Sequence, residues 1–142
     1  MLTEDLPQVH AIENQFHSMP WTVKSFLHEL GSRDAILKVA IHHGQVIGYI
    51  CIRSLFDITH LLKITVLPPF RRRGIGHALF QNALQTLRKA NPDSHEVTLE
   101  VRESNSAAMG LYRKEGFKET GRRPGYFRQP DEDAIIMGLD LS

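Results

Sequence analysis

The run Arg71-Arg72-Arg73-Gly74-Ile75-Gly76 lies between an apolar extended segment and a segment with helical periodicity. A strand, a short turn with two glycines and a helix start form a natural anion site. The first N–H groups of a helix point outward, and the helix dipole favours negative charge. Arginine adds paired donors that match phosphate oxygens. The run therefore predicts a ligand that carries a pyrophosphate, although a solvated basic turn has the same composition.

The spacing of apolar residues predicts the remaining elements. Helices are expected over Leu6 to Phe16, from the cap Thr22 to Gly31, over Ala78 to Ala90, and from a cap at Ser104 or Asn105 to about Glu115. Strands are expected at Ala35 to Ile41, Val46 to Arg53, Leu61 to Leu67, Val97 to Arg102, Phe117 to Thr120 and Ala134 to Leu139. Residues 121–133, rich in Gly, Pro, Arg and Asp, are expected to form a loop. This order predicts an α/β sandwich around a central mixed sheet flanked by helices.

Bulk composition narrows the functional classes. A chain of 142 residues, 42% of them apolar, is most economically one domain over 1–142. A formal net charge of +1 does not favour binding to nucleic acid. The chain has no apolar run of membrane-spanning length and no signal-peptide pattern at its N-terminus, and its lone Cys51 forms no internal disulfide. These features predict a cytoplasmic protein without a membrane partner. The eight histidines are scattered, so no metal site is expected.

Two familiar nucleotide motifs do not match the glycine turn. A Walker P-loop requires Gly-Lys followed by Ser or Thr, whereas Gly76 is followed by His77 and Ala78. A dinucleotide-binding turn requires a third glycine, and Leu79 stands in that place. The pyrophosphate must therefore belong to another class of ligand.

The turn, an Arg-x-x-Gly-x-Gly motif after a strand that ends at prolines, resembles the acyl-CoA loop of the GNAT family of N-acetyltransferases. The run from Leu99 to Tyr112, followed by Gly116-Phe117, resembles the C-terminal half of that family. Within the family, Met19-Pro20-Trp21, the segment 123–127 and the segment 132–137 are similar to the bacterial ribosomal-protein-alanine N-acetyltransferases (RimI type). The chain departs from the pattern at Leu67, where the family often has Asp, and at Phe127, where it has a second Tyr.

This resemblance implies a GNAT-type α/β sandwich that uses acetyl-CoA as acetyl donor and no metal. The strand residues Ile64, Thr65 and Val66 would contact the acetyl and pantetheine part. The pyrophosphate contacts would come from the loop and the start of its helix: Arg71, Arg72, Arg73, Gly74, Ile75, Gly76 and His77. The side chain of Asn105 would also contact the CoA moiety, and the same side chain is explained equally by a helix N-cap.

The resemblance also assigns the chemistry. An attacking amine must be neutral, and an α-amine has a pKa of about 7.7–8.0, so a positioned base helps. The resemblance places the proton acceptor at Glu100 and the proton donor to the CoA sulfur at Tyr112, with backbone N–H groups stabilising the oxyanion. From the residues alone, Glu100 is equally explained by an ion pair with Arg102 or Arg53. Tyr112 is equally explained as a packing residue.

The acceptor side is marked less clearly. Trp21, Tyr126 and Phe127 are candidates to line a pocket for a peptide terminus, although aromatic residues near loops commonly pack. The acidic turn 131–133 suits a basic peptide or simply solvent. The expected reaction is acetylation of the N-terminal alanine of a small-subunit ribosomal protein. The alternative acceptors are another protein N-terminus, a lysine side chain or a small amine. Two other functions are a non-catalytic acyl-CoA-binding module and nucleic-acid binding through Arg71-Arg72-Arg73 and Arg122-Arg123.

Overall fold

The computed structural model describes all 142 residues. Its helices are α1 (Leu6–Phe16), α2 (Val23–Leu30), α3 (Ile75–Ala90) and α4 (Ser106–Lys114), with 3-10 turns at Thr3–Asp5 and Pro68–Phe70. Its strands are β1 (Ala35–His42), β2 (Gln45–Leu55), β3 (Ile58–Val66), β4 (Glu96–Arg102), β5 (Lys118–Phe127) and β6 (Glu132–Asp140). The predicted order of elements is confirmed.

One six-stranded sheet in the order β1-β2-β3-β4-β6-β5 forms the centre of the molecule. Only β3 and β4 pair in parallel, and every other pair is antiparallel, so the sheet is mixed as predicted. Apolar residues of α3 and the neighbouring face of the sheet form one core. Apolar residues of α1 and α2 form a second core on the other face. The predicted α/β sandwich is therefore confirmed.

Local sequence signals explain several boundaries. His43 and Gly44 both have positive φ, 50° and 78°, which is the geometry of a tight two-residue hairpin between β1 and β2. The Thr22 hydroxyl accepts from the N–H of Ser25 and starts α2. The Asn105 carboxamide accepts from the N–H of Ala108 at 3.1 Å and starts α4, so the N-cap prediction is confirmed.

The parallel pair β3–β4 is short, and this shapes the site. Ile58 to His60 pair with Glu96 to Thr98, and the two strands pair no further. Directly after this stretch, the register between β2 and β3 shifts, which leaves Leu62 as an extra residue. Such a bulge bends a strand and increases its twist. The second half of β3 therefore diverges from β4 and leaves a gap in the middle of the sheet.

The segment from 121 to 133 is not the loop that its composition predicts. β5 continues to Phe127, and only the residues between Phe127 and Glu132 form the turn to β6. β5 is an edge strand, so the missing N–H of Pro124 removes no bond from the ladder. Register shifts between Glu119 and Gly121 and between Arg123 and Phe127 accommodate the irregular sequence. The prediction failed because composition does not reveal which strand lies at an edge.

Candidate functional site

The gap between β3 and β4 is bordered by free backbone groups. The N–H of Leu67 donates to Ile47 of β2 at 2.8 Å. Because successive residues of a strand direct their N–H groups to opposite sides, those of Val66 and Ile64 face the gap. These two strand residues therefore offer N–H donors at the place where the sequence predicts contacts with an acyl donor.

The glycine turn has a backbone conformation that favours anion binding. Gly74 has φ +79° and Arg72 has φ +62°, so two left-handed residues lie in one short loop directly before α3. Such loops draw successive N–H groups into a concave anion site, and the first N–H groups of α3 extend it. The Nε of Arg71 donates to the carbonyl of Val66 at 2.8 Å, which ties the loop to the edge of the gap.

The side chain of His77, at the start of α3, has a protein partner. Its Nδ1 lies 2.6 Å from Oε1 of Glu115, at the end of α4. The imidazole therefore links α3 to α4, and its backbone N–H is the group that remains for the predicted donor contact.

Tyr112 lies on α4 beside the gap. Its ring packs 5.7 Å from that of Phe117, centroid to centroid. Its hydroxyl makes no hydrogen bond within the protein, and since no fully buried polar side-chain atom lacks a partner, this hydroxyl is partly accessible to solvent. Burial raises the pKa of Tyr112 to about 12, so the hydroxyl is protonated at neutral pH and can donate. A small cavity adjoins the ring, lined by Leu61, Ile64, Gly76, Leu111 and others of mainly apolar character.

Glu100 is half-buried in the middle of β4, opposite Ile136 of β6. Neither ion pair that would explain it structurally is formed. Arg53 pairs with Glu29 at 2.7 Å, and Arg102 bonds to the β5–β6 turn. The carboxylate of Glu100 therefore has no hydrogen-bond or ion-pair partner within the protein, which leaves both of its oxygens available to accept a proton.

Glu100 and Tyr112 lie on opposite faces of the sheet. Leu99 and Val101 point into the core beneath α3, so Glu100 points to the face of α1 and α2. Tyr112 packs against the core on the α3 side. Because β3 and β4 stop pairing after His60 and Thr98, the sheet is interrupted beside Glu100, between these two faces.

Two further predicted residues carry structural bonds. The hydroxyl of Thr65 lies 2.8 Å from Nε2 of His17, so this side chain faces α1 and not the cavity beside Tyr112. Asn105 uses its Oδ1 as the cap of α4. Their contacts with the donor stay predictions.

The aromatic residues of the acceptor side are mainly packed. The ring of Trp21 packs at a tilt against that of Phe26 with centroids 5.2 Å apart, and the backbone N–H of Trp21 donates to Glu13. The ring of Phe127 lies 4.6 Å from the guanidinium of Arg102, whereas Tyr126 is largely exposed. The acidic residues at 131, 132 and 133 are each paired with an arginine, so their charge is largely compensated.

Sequence reasoning missed a buried polar network under the loop between α1 and α2. Glu13 is fully buried and accepts from Tyr49 Oη at 2.6 Å, Lys63 Nζ at 2.7 Å and Trp21 N–H at 2.8 Å. Burial alone would raise the pKa of Glu13, but the three donors outweigh it and hold the pKa below its ordinary value. The signal was present, since Glu13 lies on the apolar face of a helix where a charge needs partners.

Other candidate chemistries find little support in the geometry. Cys51 is fully buried, and burial raises the pKa of its thiol to about 12, as expected for a core residue. The structure holds no group of three or more His, Cys, Asp or Glu side chains arranged to bind a metal. None of the helices has the length and apolar character needed to cross a membrane.

The sequence model of the Acetyltransferase (GNAT) family matches residues 6–117. The chain is 35% identical over 142 residues to the [ribosomal protein bS18]-alanine N-acetyltransferase of Escherichia coli K12, covering 99% of this chain and 94% of that protein. It is 34% identical to a putative enzyme of the same name from Bacillus subtilis, over 100% of this chain and 93% of that protein. The crystal structure of the E. coli ribosomal-protein-S18-alanine N-acetyltransferase superposes with a TM-score of 0.87, at 34% identity and over 100% of this chain and 91% of that one.

Proposed function

Because this chain belongs to the GNAT family of acetyltransferases, we propose that it acetylates the N-terminal alanine of a small-subunit ribosomal protein. It is an acetyl-CoA-dependent N-acetyltransferase, and the relatives that it matches over nearly their full length are named for alanine acetylation of ribosomal protein bS18. The observation that carries the proposal is the gap between β3 and β4, which has a free carboxylate on one side and a protonated tyrosine on the other.

The residues present fit acetyl-CoA. The left-handed loop before α3 and its arginines offer N–H and guanidinium donors for a pyrophosphate. The gap offers free strand N–H groups of Ile64 and Val66 and, beside Tyr112, an apolar cavity. Acetyl-CoA would supply a thioester that is activated toward amines.

In the proposed mechanism, Glu100 accepts a proton from the attacking amine, either directly or through a water molecule. The N–H groups of Ile64 and Val66 stabilise the negative charge that develops on the carbonyl oxygen. Tyr112 donates its proton to the departing CoA sulfur. No covalent intermediate with the protein is required, and base catalysis of this kind contributes about 10² to 10⁴-fold to the rate.

An α-amine suits this site better than a lysine side chain. Its pKa of about 7.7–8.0 leaves a useful neutral fraction near pH 7, whereas a lysine amine near 10.4 is almost wholly charged. A carboxylate is too weak a base to deprotonate a lysine ammonium efficiently. The acceptors that compete with an N-terminal alanine are lysine side chains, other protein N-termini and small amines.

The acceptor is tested with initial rates on matched substrates. These are an alanine-terminated peptide with the N-terminal sequence of a bS18 protein, the same peptide with a serine first residue, an N-blocked version containing one lysine, and spermidine. We expect the alanine-terminated peptide to be acetylated fastest, with mass spectrometry placing the acetyl group on its α-nitrogen. Equal rates on all four substrates, or faster modification of the lysine, would refute the proposed acceptor while leaving the acetyltransferase assignment intact.

A further inference from the structure

Arg102 makes an unusual number of contacts for a strand residue. Its Nη1 donates to the carbonyl of Pro130 at 2.8 Å and to Oε1 of Glu132 at 3.3 Å. Its Nη2 donates to the carbonyl of Arg128 at 2.8 Å and to the hydroxyl of Ser18 at 3.4 Å. The guanidinium also lies 4.6 Å from the centre of the Phe127 ring. The side chain is only 21% exposed, so solvent screens these bonds weakly.

The partners of Arg102 belong to two separate segments of the chain. Ser18 lies in the α1–α2 loop, which also carries Trp21, and the other partners lie in the turn between β5 and β6 or at the strand ends that flank it, Phe127 and Glu132. No other hydrogen bond joins these two segments. Arg102 is therefore the polar bridge between them.

The bridge also extends toward the start of α4. The second oxygen of Glu132 accepts from the N–H of Ser104 at 2.5 Å, while its first oxygen holds Arg102. Ser104 lies two residues before the start of α4, the helix that carries Tyr112. Glu132, directly after the β5–β6 turn, is thus bonded both to Arg102 and to the segment just before α4.

Arg102 is placed beside the proposed base. It follows Glu100 by two positions in β4, so both side chains lie on the same face of the sheet, roughly 7 Å apart along the strand. The guanidinium bonds to two backbone carbonyls and to Glu132, and it forms no ion pair with Glu100. Because Arg102 contacts both bridged segments, both lie near the end of β4 on the face where Glu100 points.

We propose that Arg102 is a positioning residue that fixes the distance between the α1–α2 loop and the β5–β6 turn, and so presents the acceptor N-terminus to Glu100. The inference rests on the proposed function, because it takes this face as the acceptor side. Lysine cannot replace Arg102, since a single ammonium cannot bond two carbonyls in a fixed fork and stack flat on Phe127.

The test compares Arg102→Lys with the control Arg53→Lys. Arg53 is also a strand arginine, but its only acidic partner is Glu29, and it lies on β2 away from both segments. For Arg102→Lys we expect the KM for the alanine-terminated peptide to rise about tenfold, with acetyl-CoA affinity by calorimetry and kcat each changed less than about threefold. The control should keep all three values near the parent's. A fall in acetyl-CoA affinity, or an unchanged peptide KM, would overturn the proposal.

Hydrogen exchange separates this inference from the choice of acceptor, since it requires no peptide. In Arg102→Lys, amides of residues 17–22 and 128–131 should exchange faster, while those of α3 and β2 stay protected. Faster exchange throughout the chain, or in neither segment, counts against a bridge.

Ser18→Ala provides a milder variant, for which faster exchange in 17–22 alone and about a twofold rise in peptide KM are expected. An unchanged Ser18→Ala enzyme contradicts the bridge. If the parent enzyme does not modify the peptide, the proposed acceptor fails, and the exchange result still decides the role of Arg102.

Discussion

Replacing Glu13 by Gln removes the charge at the centre of the buried network beneath the α1–α2 loop. Three donors converge on this carboxylate: the hydroxyl of Tyr49, the ammonium of Lys63 and the N–H of Trp21. Gln keeps the shape of Glu but offers only one acceptor oxygen. Its NH₂ group, a donor, would face one of the three donors that now bond to the carboxylate. The ammonium of Lys63, whose side chain is 14% exposed, loses its counter-charge.

The size of the effect follows from this burial. Removing one partner of a buried ion pair costs about 3–5 kcal/mol, because the other charge is left without compensation. With a urea m-value of about 2 kcal/mol/M, the unfolding midpoint should fall by roughly 2 M. Combining Glu13→Gln with Lys63→Met removes the orphaned charge, so the double variant should be less destabilised than the sum of the single ones.

Urea unfolding followed by circular dichroism measures this change, with Glu119→Gln as control because Glu119 is exposed and has no ion-pair partner. The pKa of Glu13 is lowered in the folded state, so its contribution is present above the ordinary carboxyl pKa and lost as the pH falls through the folded-state pKa. The Gln variant should therefore lose part of the acid dependence of stability. A loss below about 1 kcal/mol at pH 7, or an acid dependence identical to the parent's, would refute this account of the network.

Three further outcomes follow from individual sites. Gly48→Ala should destabilise the fold by about 1–3 kcal/mol in thermal melts, because the new Cβ would lie 2.8 Å from the carbonyl of Thr65; an unchanged melting temperature would contradict this close approach. Gly74→Ala places a side chain at φ +79°, so we expect a loss of about 1–2 kcal/mol and weaker acetyl-CoA binding by calorimetry, and parental affinity would argue against the anion loop. Cys51, buried and with its thiol pKa raised to about 12, should resist iodoacetamide at neutral pH, and rapid alkylation of the folded enzyme would show that the site opens.

The fold could be predicted from the sequence because the patterns that specify its helices, strands and turns are local. Apolar periodicity, the caps Thr22 and Asn105, and the turn at His43-Gly44 each act within a few residues, and all of them appear in the structure. The glycine turn also lies where its motif predicts, between a strand and a helix.

What the sequence did not reveal depends on long-range contacts. The continuation of β5 through Pro124 follows from its edge position, which composition does not encode. From the sequence, Arg102 is a candidate only for an ion pair with Glu100, because its acceptors in the fold are backbone carbonyls 26 and 28 residues away. The partners of Glu13 lie on β2 and β3 and become visible only when α1 is packed on the sheet.

The claim that Glu100 and Tyr112 carry the chemistry across the gap is tested most directly by single-turnover acetylation with Glu100→Gln. At saturating acetyl-CoA and peptide, we expect the rate to fall about 10² to 10⁴-fold, while calorimetric affinity for acetyl-CoA changes less than twofold. Tyr112→Phe should show the same separation of rate from affinity. An acetylation rate in Glu100→Gln equal to the parent's would contradict the assignment of this carboxylate as the proton acceptor.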